Sequence, residues 1–354
     1  MVNKKQNRSK EFISMDHGAG GEMMDRFIDE FILPVFESDI GEVPLSWLDD
    51  SAVIEGTVVT TDAHTVKPIF FPGGDLGSLS VAGTVNDLLA IGAKPKALTG
   101  AIVIPEGKRL DDLKRIFESA ARTADKARVK IVAGDTKVVE KDDLDEPIMT
   151  TTGFGKRHPL LDSNFEVIGE RRTSWLSDNN LKAGDKIIVT GTIGDHGITV
   201  LSEREGYGFG GAVKSDVSAL VELMEAALKT GGVVSAKDPT RGGLATALNE
   251  WASKSGVGIE VKENEIPIRD WVSSASELLG IDPLTIGNEG KFIIAVEPSK
   301  AEDVLSSIQS TEDGAEAKII GEAKDDISGV VLRTGVGGRR ILEKPVGDPV
   351  PRIC

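Results

Sequence analysis

Following the glycine-rich loop His17-Gly18-Ala19-Gly20-Gly21, apolar residues fall at Met24, Phe27, Ile28, Phe31, Ile32 and Val35. This spacing of three and four predicts a helix opened by the glycines. The run TVVTT at 57–61 reads as a strand ending at Asp62, and 79–91 as a helix stopped by Gly92-Ala93-Lys94-Pro95. A strand over 97–104 follows. Leu110, Leu113, Ile116, Phe117, Ala120 and Ala124 then mark an amphipathic helix leading into a strand at 129–133, and 148–154 reads as a closing strand. The chain to about residue 155 thus forms one α/β unit.

Residues 156–185 are polar, carry little periodicity and are assigned to the domain connection. A second unit begins with a strand at 186–190, the loop 191–197 and a helix over 217–228 with Leu220, Val221, Met224, Ala227 and Leu228 on one face. A helix at 244–252, a capping box Ser299…Glu302, and strands near Ile259, 292–296, Ile319 and Val330 complete it. The closing ILEKPVGDPVPRIC has three prolines and neither helical nor alternating pattern, so it reads as an extended tail. The predicted division is 1–155, 156–338 and a tail at 339–354, an α/β (α+β) protein of two domains.

Length and charge narrow the function. The chain has 354 residues, 40% of them hydrophobic, enough for two domains with substantial cores. Its 41 Lys and Arg against 57 Asp and Glu give a net charge of −16, so no long-range field draws nucleic acid or an anionic membrane. The single cysteine, Cys354, is the last residue, which excludes an intramolecular disulfide or a cysteine zinc cage. No run of about 18 apolar residues appears, and FISMDHGAGG is too short and broken for a signal-peptide core, so no membrane span and a cytoplasmic location are expected.

Asn86 and Asp87 stand inside the apolar run VAGTVNDLLAIGA, where burial without partners costs several kcal/mol. A solvated helix edge explains an isolated pair equally well, but carboxylates also stand at Asp49-Asp50-Ser51-Ala52, Thr60-Thr61-Asp62 and Gly134-Asp135-Thr136-Lys137. Aspartates at several strand ends can converge on one rim, an arrangement suited to Mg²⁺ and the phosphates it carries, although each is also an ordinary turn or cap residue. HGAGG, FPGGDLG, GTIGDHG and DPTRGG could each offer backbone N–H groups to a phosphate, and none is a Walker loop or dinucleotide fingerprint. His17, His64 and His196 are too scattered to suggest a zinc site. Lys137 shares a strand face with Asp135, and Glu289 lies in a loop before a strand; a surface lysine and a turn residue are the alternatives. The 14-residue tail could extend about 45 Å, against a radius of gyration near 20 Å for a chain of this length, so its thiol could reach a distant site or a partner's.

HGAGGEMM, DDSA, TTDAHTVKPIFFPGGDLG, VAGTVNDLLAIGAKP, IVAGDTKVV, DPTRGGL, GNEG and the terminal PRIC together resemble the HypE family, the carbamoyl dehydratases of nickel–iron hydrogenase maturation. The resemblance runs from about His17 to Cys354. Several internal motifs are shared with the wider ATP-using superfamily of aminoimidazole ribonucleotide synthetase; PRIC is the specific one. The resemblance implies a two-domain fold of that type, with N-terminal domains pairing into a shared β-barrel in a homodimer. It also implies ATP and Mg²⁺ as cofactors, and a carbamoyl group received on Cys354 from HypF, dehydrated to a thiocyanate and passed as cyanide to iron held by HypC–HypD. On this reading Cys354 carries the substrate, Glu289 is the base, and Lys137 stabilises the transferring phosphoryl group or assists proton transfer. Asp50, Asp62, Asp87 and Asp135 are the metal and nucleotide candidates by similarity, with Thr84 and Asn86 beside them and His17, Gly18, Gly20 and Gly21 as weaker nucleotide-loop candidates. The alternatives are another ATP-dependent enzyme of the superfamily, such as a selenophosphate synthetase, or a non-catalytic scaffold. The first usually carries a reactive Cys or selenocysteine near the N-terminus, where this chain has none.

Overall fold

A computed structural model describes residues 12–36, 40–207, 213–347, 350 and 353. Its elements in chain order are α1 (Glu22–Phe27), β1 (Ala52–Ile54), β2 (Thr57–His64), β3 (Phe70–Phe71), β4 (Gly74–Asp75), α2 (Leu76–Ala90), β5 (Ala93–Pro105), α3 (Leu110–Lys126), β6 (Lys130–Val139), β7 (Ile148–Arg157) and α4 (Leu161–Glu166). They continue with β8 (Lys186–Val189), α5 (Asp195–Glu205), α6 (Val221–Thr230), β9 (Val233–Lys237), α7 (Gly243–Ser255), β10 (Gly258–Lys262), α8 (Asp270–Leu279), β11 (Ile293–Val296), α9 (Ala301–Gln309), β12 (Lys318–Lys324), β13 (Val330–Arg333) and β14 (Arg339–Ile341).

Helix α2 is the hinge of the architecture. Its apolar run begins at Leu76, three residues before the sequence pattern indicates, because Asp75 caps it: the carboxylate accepts from the N–H groups of Gly77 and Ser78, and Ser78 completes a capping box. Of its 15 residues all but Ser78 and Asp87 are buried, so it packs on every side rather than showing a solvent stripe. On one side lie α3 and the first sheet, order β1-β2-β7-β5-β6, in which only β5 and β6 run parallel; on the other lie β9 and α6 of the second domain. Truncating Leu88 here to Ala would cost about 2–5 kcal/mol.

The second sheet has the order β14-β13-β10-β12-β8-β11-β9. Along β8 and β11, Ile188, Ile294 and Val296 join the core containing α2, α6 and α9, while Ile187, Val189, Ile293 and Ala295 join the core containing α7. A sheet covered on both faces explains why these strands are uninterruptedly apolar.

Three segments differ from the sequence pattern. The helix after the HGAGG loop is α-helical only to Phe27 and widens into a π turn over Ile28–Ile32. Asp195-His196-Gly197 belongs to α5 rather than to a loop, since the left-handed Gly194, φ 88°, turns the chain directly into the helix. Residues 339–341 are not free tail: β14 pairs antiparallel with β13, and the tail begins after it.

Candidate active site

The ends of β2, α2 and β9, with the segment before β1, deliver Asp62, Asp87, Asp238 and Asp50 into one cleft of about 500 Å³ between the two domains. Thr60 aligns two of them, its hydroxyl lying 2.8 Å from Asp87 Oδ2 and 3.0 Å from the Asp50 carbonyl oxygen. Thr84 donates to Asp62 Oδ2 at 3.0 Å and meets Thr151 Oγ1 at 2.5 Å. It therefore orients Asp62 from within the core and does not line the cleft.

Crowding buried carboxylates has an electrostatic cost. Burial, joined by repulsion from Asp62, Asp238 and Asp50, pushes the Asp87 carboxyl well above its ordinary range. Burial and Asp50 push Asp238 up to about 8, and burial raises Asp50 to about 6 despite Lys237. Lys237 closes a wholly buried β9 and places Nζ 2.6 Å from Asp50, 3.3 Å from Asp178 and 3.2 Å from Glu250. Burial opposes its charge, but those three carboxylates outweigh burial and hold its pKa well above the usual lysine value. Lys254 and the indole N–H of Trp251 hold Asp178, at 2.7 and 2.8 Å.

The cleft continues into a chamber of about 50 Å³ lined by Asp62, His64, Asp87, Asp238, Arg241 and Glu289 among others. Glu289 is 3% exposed, and its Oε1 has no hydrogen-bond partner. Burial, with Asp238 and Asp216 nearby, raises its pKa well above the ordinary glutamate value. A buried carboxyl with one oxygen unpartnered and its pKa raised, opening onto an acidic cleft, is placed for proton transfer.

The expected site residues divide. Asp50, Asp62, Asp87, Gly20 and Glu289 meet at the cleft and its chamber. Asn86 does not: its amide donates to Ser218 O and accepts from Leu220 N, each at 3.0 Å, joining α2 to the start of α6. Within the HGAGG loop, Gly20 alone lines the cleft, and a Cβ there would lie 2.5 Å from Arg241 O. Gly21 instead lies against the tail, its would-be Cβ 2.1 Å from Pro345 O; a Cβ on Gly18 would meet nothing within 4 Å, and His17 bonds to Ser14. Asp135 and Lys137 stand on β6, whose residues are exposed almost throughout at the edge of the first sheet, outside the cleft. Cys354 lies outside the described residues.

The donor set suits a hard cation, since Asp50, Asp62 and Asp87 present carboxylate oxygens whose mutual repulsion a divalent ion would relieve. The expected four-aspartate metal site is nonetheless not formed in one chain: Asp135 is elsewhere, and among the described residues no three His, Cys, Asp or Glu side chains are arranged to hold a metal. Lys237, Glu250 and Lys254 entered through no metal or nucleotide pattern, and Asp238 only as the first residue of the DPTRGG loop; a lysine closing the apolar run VVSAK just before Asp-Pro-Thr-Arg was the available signal. Among the described residues no helix is long and apolar enough to cross a membrane.

Residues 48–156 match the model of the AIR synthase related protein N-terminal domain, and 182–332 that of the C-terminal domain. The chain is 47% identical to a hydrogenase expression/formation protein of Methanocaldococcus jannaschii, covering 97% of this chain and 99% of that one. It is 41% identical to the carbamoyl dehydratase HypE of Azotobacter vinelandii, covering 97% of each. A solved HypE–HypF complex superposes with a TM-score of 0.82 at 42% identity over 90% of this chain and 99% of that one. A HypE structure in complex with ATP superposes at 0.78 and 37% identity over 97% of this chain and all of its own.

Proposed function

The chain belongs to the HypE family of carbamoyl dehydratases, and from that premise we propose that it uses ATP to dehydrate a carbamoyl group carried on the thiol of Cys354, turning a thiocarboxamide into a thiocyanate for the iron of a nickel–iron hydrogenase. The observation that carries this reading is the junction of the carboxylate cleft with the Glu289 chamber, beside which the tail residue Ile353 is buried near Gly287.

The chemistry follows from the group to be removed. The carbonyl oxygen of an amide is a poor leaving group, so the γ-phosphoryl of ATP is first transferred to it, forming a C–O–P linkage and releasing ADP. One N–H proton is lost as the C=N bond forms. The second leaves as the C–O bond breaks, phosphate departs with the oxygen, and C≡N remains. Glu289, whose Oε1 has no partner and whose pKa burial raises, is the acceptor for a nitrogen proton. One or two of the carboxylates Asp50, Asp62 and Asp87 would meet the Mg²⁺ carried by the nucleotide phosphates, which would supply charge neutralisation there. Lys237 holds Asp50 by its 2.6 Å ion pair.

Lys137 and Asp135 fit this scheme through a second copy of the chain. Strand β6 is an unpaired edge with Val132 and Val138 each more than 60% exposed, the kind of edge that pairing into a homodimer covers. HypF is the carbamoyl donor and HypC–HypD the acceptor of cyanide in this reading.

Intact-protein mass spectrometry tests it. Incubation with the HypF carbamoyltransferase, carbamoyl phosphate and ATP adds a carbamoyl group that then loses one water, and Cys354→Ala shows neither change. Continued ATP hydrolysis without modification of Cys354 would point to another substrate.

A further inference from the structure

His196, the second residue of α5, contacts neither the cleft nor its chamber, yet it is fully buried and both ring nitrogens are engaged. Nε2 lies 2.6 Å from the carbonyl oxygen of Ile353, and Nδ1 lies 2.7 Å from Ser215 Oγ. A carbonyl can only accept, so Nε2 carries the hydrogen, and in the neutral ring Nδ1 accepts from the serine hydroxyl. Ser215 Oγ in turn accepts from Val217 N at 3.2 Å. The ring is wedged edge-on against Phe71 of the first domain, centroids 5.4 Å apart at 84°. Burial keeps its pKa below the ordinary histidine value even though Asp216 and the Ile353 carbonyl favour the charged form. Ile353 completes the fit. Its Cδ1 lies 2.8 Å from where a Cβ on Gly287 would stand and 3.3 Å from one on Gly197, so two glycines make the seat for one tail side chain. Gly287 begins the loop Gly287-Asn288-Glu289.

We propose that His196 is a positioning residue for the tail, a donor that registers the residue preceding Cys354 against the loop carrying Glu289 during the ATP-dependent step. Transfer of the carbamoyl group from a separate protein needs the chain end to leave that seat, and dehydration needs it to return. This rests on the dehydratase reading and adds a prediction that reading does not make: loss of the His196 donor affects the two steps unequally.

The test loads the full-length protein with the HypF carbamoyltransferase and carbamoyl phosphate, then follows a single turnover with ATP by intact mass. In His196→Leu, loading proceeds at or above the wild-type rate while loss of water slows about ten-fold, the scale of one buried hydrogen bond. His196→Gln, which keeps a donor near the Nε2 position, stays within about two-fold of wild type. Ile353→Ser, which empties the seat without touching α5, slows dehydration alone and serves if the leucine variant fails to fold. Equal dehydration rates in all four proteins, or loading and dehydration falling together, overturn the proposal. If wild type is never modified, the dehydratase reading fails. The latch is then read by carboxypeptidase trimming of the unmodified chain, which speeds up in His196→Leu and Ile353→Ser if the latch exists and is unchanged if it does not.

Discussion

Strands β2 and β6 belong to the same five-stranded sheet and both carry a family-like aspartate, yet they place it in opposite circumstances. Asp62 on β2 faces α2 and, across the domain boundary, Asp238, with Thr84 holding its carboxylate. Asp135 on β6 is exposed, and its carboxylate accepts only from its neighbour Thr136 N among the bonds described. A motif specifies side-chain types, whereas function needs a second wall. For β2 that wall is the C-terminal domain; for β6 the wall we propose is a second copy of the chain.

The strongest way to break the comparison is at the chamber. Glu289→Gln keeps shape but removes the base, so single-turnover dehydration falls about 10²–10⁴-fold while folding is retained, as circular dichroism checks; an unchanged rate would remove Glu289 from the mechanism. Next is the edge: Val132→Lys places charge on the exposed β6, and sedimentation then finds monomer in place of dimer. Lys137→Ala and Glu289→Gln, each inactive alone, recover about a quarter of wild-type activity when subunits are mixed and exchanged, because half the dimers are mixed and each of those has one intact site. No recovery would mean that both residues serve one subunit's site. Asn86→Leu strands the buried Ser218 carbonyl and Leu220 N–H and lowers stability by about 1–3 kcal/mol in denaturant titrations. The smallest effect is in pH. Asp50 near 6 and Asp238 near 8 hold protons that Mg²⁺–ATP displaces, so binding tightens as pH rises from 6 to 8, and calorimetry in buffers of different ionisation enthalpy records proton release. Binding independent of pH would show that these carboxylates stay clear of the metal and nucleotide.

Raised carboxylate pKa values also set the sign for stability. Asp49, lifted to about 7 by burial and Asp178, costs stability as pH rises from about 4 through 7, because the unfolded chain ionises it freely while the folded chain resists. Asp49 lines the same cleft as Asp50, Asp62 and Asp87.

Much of this was legible in sequence. Helix α3 and the apolar strands emerged from period and composition, and Asp50, Asp62, Asp87 and Glu289 from their motifs and company. What stayed hidden depended on long-range partners. Asn86 looked like a cleft residue because its sequence neighbour is one, and only the fold brings Ser218 and Leu220 to it. Lys237 drew no reading from the sequence, since only the fold brings Asp50, distant along the chain, to it. Helix α5 was missed because a left-handed glycine starts it without a side-chain cap.

The path of the tail also bears on how the protein is made. Lys344 Nζ reaches Asp25 at 2.6 Å, and Pro345 O accepts from Glu22 N at 3.3 Å, so residues near the two ends of the chain are strapped together. During synthesis α1 emerges 319 residues ahead of its partner Lys344. The body of the fold can therefore assemble before this clasp closes, and cutting the Lys344–Asp25 pair frees α1 without unpacking either sheet.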